Sequence, residues 1–197
     1  MQSHESYYLH KSVYSDKINI KPLSKVLVHI VKIVVTGPFA SGKTTFIRTL
    51  CGSVLTTEKS LSSYFERKLK KTTTVALDFG ITYSMRKKLY LFGTPGQKRF
   101  WFMIPTLIKG THGVLFLVDS SSRISIYRAI PLYLHIKKLL DGVPCLIAAN
   151  KQDIPTSLSP NEVADIMGLV SNPLPLIALD KSSCLDVLER LIHEVDS

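Results

Sequence analysis

Cysteine is scarce in this chain. Cys51, Cys145 and Cys184 are odd in number, far apart and without a C-x-x-C pair. That pattern argues against a disulfide framework and a cysteine-based zinc site, and it makes a reducing, cytoplasmic setting the expectation. Long apolar runs are missing too. A membrane-crossing helix needs about 18 apolar residues, and the apolar-rich run nearest the start, residues 26–35, is broken by His29 and Lys32. Met1-Gln2-Ser3-His4-Glu5 does not read as a signal peptide, position 2 is not glycine, and Val195-Asp196-Ser197 carries no prenylation cysteine. The histidines are scattered, with no pair at ligand spacing. Acidic residues are in deficit: 15 Asp and Glu face 25 Lys and Arg, a net charge of +10.

What the chain does have is ample apolar content, 45% of 197 residues, enough for one domain with its own core. Residues 1–24 are polar and weakly patterned and read as a flexible arm; residues 25–197 read as the domain. The positive charge is local. Residues 59–99 hold ten basic and two acidic groups, whereas residues 100–197 hold eight and ten. A block of this kind suggests a particular surface rather than a general affinity for polyanions.

Apolar, β-branched runs at 26–35, 114–118, 145–149 and 174–179 read as buried strands. Residues 74–83 and 89–92 read as two strands joined by a turn at 84–88. Helices are expected over 43–50, over 124–140 (where Pro131 counts against continuity) and over 184–195. Another should start at Ser159-Pro160-Asn161-Glu162, a capping box with proline at the first helical position. Strands alternating with helices give an α/β sheet covered on both faces, a three-layer α/β/α architecture.

Gly37-Pro38-Phe39-Ala40-Ser41-Gly42-Lys43-Thr44 matches G-x-x-x-x-G-K-[ST] between a strand and a helix. Glycines let the backbone wrap around phosphates, and the N–H groups of the helix start meet their charge. Lys43 reaches the β- and γ-phosphates and the Thr44 hydroxyl takes Mg²⁺. Those eight residues with Thr45 are the candidate phosphate site. Asn150-Lys151-Gln152-Asp153 follows a buried strand. There the carboxylate of Asp153 can accept from the ring N–H and exocyclic amine of guanine together, with the Lys151 stem over the ring. Adenine offers no such donor pair.

With these motifs the chain resembles the Ras-like small GTPases over residues 26–196. Val118-Asp119-Ser120-Ser121, Ala149-Asn150-Lys151-Gln152-Asp153-Ile154-Pro155, Glu162-Val163 and Gly168-Leu169 look most like Arf. Gly37-Pro38-Phe39, Thr72-Thr73-Thr74-Val75-Ala76-Leu77-Asp78-Phe79-Gly80 and Phe92-Gly93-Thr94-Pro95-Gly96-Gln97 look like a prokaryotic branch that includes the roadblock-associated and bacterial polarity-switch GTPases. The resemblance implies a P-loop NTPase fold with a six-stranded, mostly parallel sheet and one antiparallel edge strand. It implies GTP and GDP with Mg²⁺ and a GTP/GDP switch; the two departures from the pattern, at Gly93 and Phe39, make slow intrinsic hydrolysis, completed by a partner, the expectation. Residue by residue, it makes Thr74 a second Mg²⁺ ligand, Gly96 the N–H donor to the γ-phosphate and Gln97 the catalytic residue that orients water. Leu179 and Asp180 fall at the third base-binding element.

Two positions depart from the pattern. Gly93 stands where D-x-x-G has its aspartate, leaving Thr44 and Thr74 as direct ligands and Asp78 or Asp119 to support the ion; Asp119 also reads as an ordinary strand-end cap. Phe39 stands where many relatives have glycine, and its side chain is expected to crowd the γ-phosphate and Gln97. A GTP-holding scaffold without turnover is the alternative reading, and a P-loop ATPase or nucleoside kinase the weaker one. Phe100 and Phe102 are read as core, and Trp101 as free to be exposed. The basic block (Arg67, Lys68, Lys70, Lys71, Arg86, Lys87, Lys88, Lys98, Arg99) would border the moving segments. It fits an activating protein, a roadblock-type effector or an anionic membrane surface better than nucleic acid, since no aromatics are interleaved with it.

Overall fold

Burial follows the sheet. The computed structural model describes residues 29–52, 55–56 and 77–197. The N-terminal arm, Thr74 and the basic residues at 67–71 lie outside the described residues. The elements run β1 (His29–Thr36), α1 (Lys43–Cys51), β2 (Leu55–Thr56), β3 (Asp78–Ser84), β4 (Lys87–Gly93), a 3₁₀ segment (Lys98–Met103) leading into α2 (Ile104–Ile108), β5 (Gly113–Asp119), α3 (Arg123–Lys137), β6 (Cys145–Asn150), α4 (Pro160–Met167), β7 (Leu174–Leu176) and α5 (Lys181–Asp196).

The sheet order is β2-β3-β4-β1-β5-β6-β7. Strands β4, β1, β5, β6 and β7 are parallel, and β3 is antiparallel to β4, which is the expected six-stranded arrangement. The two-residue β2 pairs antiparallel with β3, so a seventh strand lies outside the antiparallel one. Every residue of β5 is buried, as a parallel strand with helices on both faces requires. Val31, Ile33 and Val35 of β1 pack with Phe46, Ile47 and Leu50 of α1 and the apolar face of α5. Val34, Phe116 and Val118 pack instead with α2, α3 and α4. Successive residues point to opposite faces, so one run of β-branched residues supports both layers.

Local chemistry sets the helix ends. Ser159 and Glu162 form the reciprocal capping box, and Gly168, at φ 63°, closes α4 in the left-handed conformation. Helix α5 begins a turn before the expected 184 because Asp180 caps it, its carboxylate accepting from the Ser183 N–H at 2.8 Å. Helix α3 runs through Pro131, whose solvent-facing position confines the disruption to the exposed side. The aromatic assignment reverses for Phe102 and Trp101, while Phe100 is half-buried. Phe102 is exposed, while Trp101 is half-buried against the α3 layer and stacks on His135. The tight 3₁₀ segment has three residues per turn, so residues that alternate in a strand do not share a face there.

The β3–β4 turn is tighter than expected. Ser84 pairs with Lys87, leaving Met85 and Arg86 as a two-residue loop with φ of 49° and 60°. Lys87 forms an ion pair with Asp196, and Ser84 donates to Glu189 at 2.7 Å, which ties the hairpin to α5.

Candidate functional site

Strand order reverses at β1, between β4 and β5, and this is where open α/β sheets leave a crevice beyond the strand ends. The loop after β1 fills it. Residues 37–42 join β1 to α1, and Lys43 and Thr44 open the helix. Gly42 has φ 99°, and a Cβ there would meet Asn150 Nδ2 at 2.1 Å, so both backbone shape and space demand glycine. Ala40 also lies in the left-handed region, at φ 63°.

Lys43 is buried and folds back over the loop, donating to the Pro38 carbonyl at 2.6 Å and reaching Ser41 Oγ at 3.4 Å. Burial lowers its pKa to about 8, against the opposing attraction of Asp78. Thr44 Oγ1 donates to Asp78 Oδ2 at 2.5 Å. Thr45 is half-buried on the next position of α1. Phe39 is 72% exposed.

The loop after β4 lies against this one. Thr94 N–H donates to the Val35 carbonyl at 2.9 Å, and the Thr94 and Thr36 hydroxyls are 2.8 Å apart. A Cβ on Gly96 would stand 2.5 Å from Phe39 N and from the Pro38 carbonyl carbon. The close approach of Gly96 is therefore to loop backbone. Gln97 is exposed, at the mouth of the 3₁₀ segment.

The third loop follows β6. Asn150 is buried; its Nδ2 donates to the Ser41 carbonyl at 2.9 Å and its Oδ1 accepts from Ala178 N–H at 2.9 Å. One side chain thus joins the loops after β1, β6 and β7. Lys151 Nζ donates to Asp119 Oδ2 at 2.7 Å. Burial disfavours the charge on Asp119, but hydrogen bonds from Lys151 and Ser121 outweigh it, and its pKa lies below the ordinary carboxylate value. Its oxygens are thereby engaged away from α1. Asp153 is exposed, as is Leu179, and the Asp180 carboxylate caps α5. The structural tie through Asn150 was not apparent in the motif, which offers the residue only as a base contact.

Among the described residues no group of three or more His, Cys, Asp or Glu could hold a metal alone. The Thr44 hydroxyl and Asp78 carboxylate are nonetheless oxygen donors of the type Mg²⁺ takes when phosphates complete its shell. Those residues fit that ion.

The loop around Lys43, at the switch point of a mostly parallel sheet, defines a P-loop NTPase fold. Residues 53–181 match the family described as "Conserved hypothetical ATP binding protein", and the chain belongs to that family. The matched span begins after the phosphate loop. An uncharacterized protein of Methanocaldococcus jannaschii is 36% identical over 126 residues, covering 63% of this chain and 71% of that protein. ADP-ribosylation factor-related protein 1 of Bos taurus is 30% identical over 129 residues, 64% of this chain and 62% of that protein. The structure of the FeoB G-domain from Methanococcus jannaschii superposes with a TM-score of 0.60 at 18% identity, covering 86% of this chain and all of that one; at that identity the likeness speaks for the fold.

Proposed function

We propose that this chain binds GTP and GDP with Mg²⁺ and works as a GTP/GDP switch whose own hydrolysis is slow. The observation that carries the reading is Asn150-Lys151-Gln152-Asp153 leaving β6 beside the phosphate loop, joined to it through Asn150 and Ser41. Asp153 is exposed and suited to the paired donors of guanine; the Asp119 contact holds Lys151 with its stem available to cover a ring. The family description names ATP, but adenine lacks the donor pair that a carboxylate at Asp153 suits. Titration with fluorescent GTP, GDP and ATP, with and without Mg²⁺, separates the two. Guanine nucleotides should bind more tightly, and ATP binding as tight as GTP would overturn the base assignment.

In this reading Gly37 to Thr45 and Gly96 bind phosphate, Thr44 and Thr74 bind the metal, and Asn150, Lys151, Asp153, Leu179 and Asp180 form the base site. Gln97 orients water. Slow turnover is expected because a small-GTPase site depends on an arginine supplied to the transition state, an effect worth roughly 10³–10⁵ in rate, and a partner would complete the site. Single-turnover hydrolysis by Gln97→Leu should fall below wild type; an equal rate would remove Gln97 from that role. Phe39→Gly decides whether the exposed ring contributes at all.

The scaffold reading, GTP held without turnover, draws on Gly93, which leaves β4 without the usual carboxylate. An activating protein or roadblock-type effector on the face around the loops after β1 and β4 suits either reading, and an anionic membrane surface is the second candidate. Arg86, Lys98 and Arg99 are the exposed cations for such contact among the described residues of the block, since Lys87 is paired with Asp196. Arg86→Glu with Lys98→Glu should weaken binding to anionic vesicles or to an acidic partner while nucleotide affinity holds. Unchanged binding would return the block to a solvated face.

A further inference from the structure

The carboxylate missing from β4 has a counterpart one strand away. Asp78 and Gly93 are direct partners in the antiparallel β3–β4 pair. Opposed residues in such a pair project to the same face with Cβ atoms about 5 Å apart. Here the spacing is closer still in effect: a Cβ built on Gly93 would lie 2.9 Å from Asp78 Cβ, 3.0 Å from Ile47 Cδ1 and 3.3 Å from Asp78 Oδ2. The space that a side chain at 93 would enter is already taken by the side chain of 78. Two carboxylates do not fit, and the chain has one.

That carboxylate is aimed at the metal-ligating hydroxyl. Thr44 Oγ1 donates to Asp78 Oδ2 at 2.5 Å. A hydroxyl has one proton to donate and two lone pairs to offer. With its proton directed to Asp78, Thr44 keeps its lone pairs for a cation, and the carboxylate makes that oxygen a better donor. The other candidate, Asp119, is engaged by Lys151 and Ser121.

We propose that Asp78 is the positioning carboxylate of the Mg²⁺ site, supplied from β3 across the strand pair in place of one at Gly93 on β4. The inference rests on the Mg²⁺–nucleotide reading above and deepens it. Loss of a positioning group of this kind costs 10–100-fold in metal affinity.

Wild type, Asp78→Asn and the exchange variant Asp78→Gly with Gly93→Asp are loaded with whichever fluorescent nucleotide wild type binds, so a failed guanine preference leaves this measurement intact. Nucleotide release is followed against Mg²⁺ concentration, and Mn²⁺ binding is read by electron paramagnetic resonance. Asp78→Asn should shift the Mg²⁺ midpoint upward by 10–100-fold, and the exchange should restore most of it by returning a carboxylate to the other strand. A Mg²⁺ titration of Asp78→Asn that superimposes on wild type overturns the proposal. So does loss of stability in the metal-free protein with no movement of the midpoint, which is what a brace between α1 and β3 alone would give. Asp78→Ser carries the comparison if the Asn variant does not fold. A folded exchange variant no better than Asp78→Asn counts against the proposal in the same way.

Discussion

Asn150 donates from Nδ2 to the carbonyl of Ser41, 109 residues away in the chain, and both residues are buried. The Oδ1 of the same side chain accepts from Ala178. The segment that leaves β6 and the loop after β1 are therefore joined directly through this side chain.

Asn150→Ala should expose the value of that junction. It leaves the Ser41 carbonyl and Ala178 N–H buried without partners, at about 1–3 kcal/mol for each group so stranded. Urea unfolding of the nucleotide-free protein should show the loss, and GTP and ATP affinity should fall together. A variant of unchanged stability that loses only guanine affinity would mean that Asn150 acts on the base alone.

Lys43 predicts opposite pH trends for binding and stability. Its pKa in the free protein is about 8, and bound phosphates would raise it. Nucleotide binding should then take up a proton and weaken as pH rises above about 8. The unfolded chain binds this proton more tightly than the folded one, so the free protein should gain stability over the same interval, from about 8 towards the ordinary lysine value. Titrations from pH 7 to 9.5, and calorimetry in buffers of different ionisation enthalpy, check both signs. Lys43→Met should abolish the proton uptake.

Asp119→Asn should weaken the fold at neutral pH by about 1.5–3 kcal/mol, the range for hydrogen bonds to a charged group. The folded-state pKa of Asp119 lies below its ordinary value. Its contribution is therefore complete above the unfolded-state pKa and lost as pH falls through the folded one. Denaturation curves of wild type and variant should converge in strong acid. A constant gap down to pH 2 would place the effect in packing rather than in charge.

Met85→Asn with Arg86→Gly should stabilise the protein. Both residues hold positive φ in a two-residue hairpin loop, the conformation that Asn-Gly adopts most readily. Relief of about 1 kcal/mol per position should raise Tm by several degrees, with nucleotide affinity unchanged. No rise would mean that the loop is relaxed with its present side chains.

The strand and helix succession was legible because apolar runs and capping residues act locally: Ser159 and Glu162 mark the start of α4 in the sequence as they do in the structure. The phosphate loop was legible for the same reason, since its glycines and Lys43 are contiguous. What escaped was decided by space. Trp101 and Phe102 exchange their expected surroundings because a 3₁₀ segment carries them. Lys87 belongs to the basic block in sequence but meets Asp196 of α5 in the fold. The start of α5 depended on whether Asp180 would turn to its own helix.

The sequence by itself determined the order of elements, the phosphate loop and the motif at the end of β6, because each rests on residues close together along the chain. Only the tertiary structure decided how Gly93 is accommodated. Antiparallel pairing sets Asp78 opposite it, and close packing leaves room for one carboxylate beside Thr44, a relation between strands that no local pattern encodes.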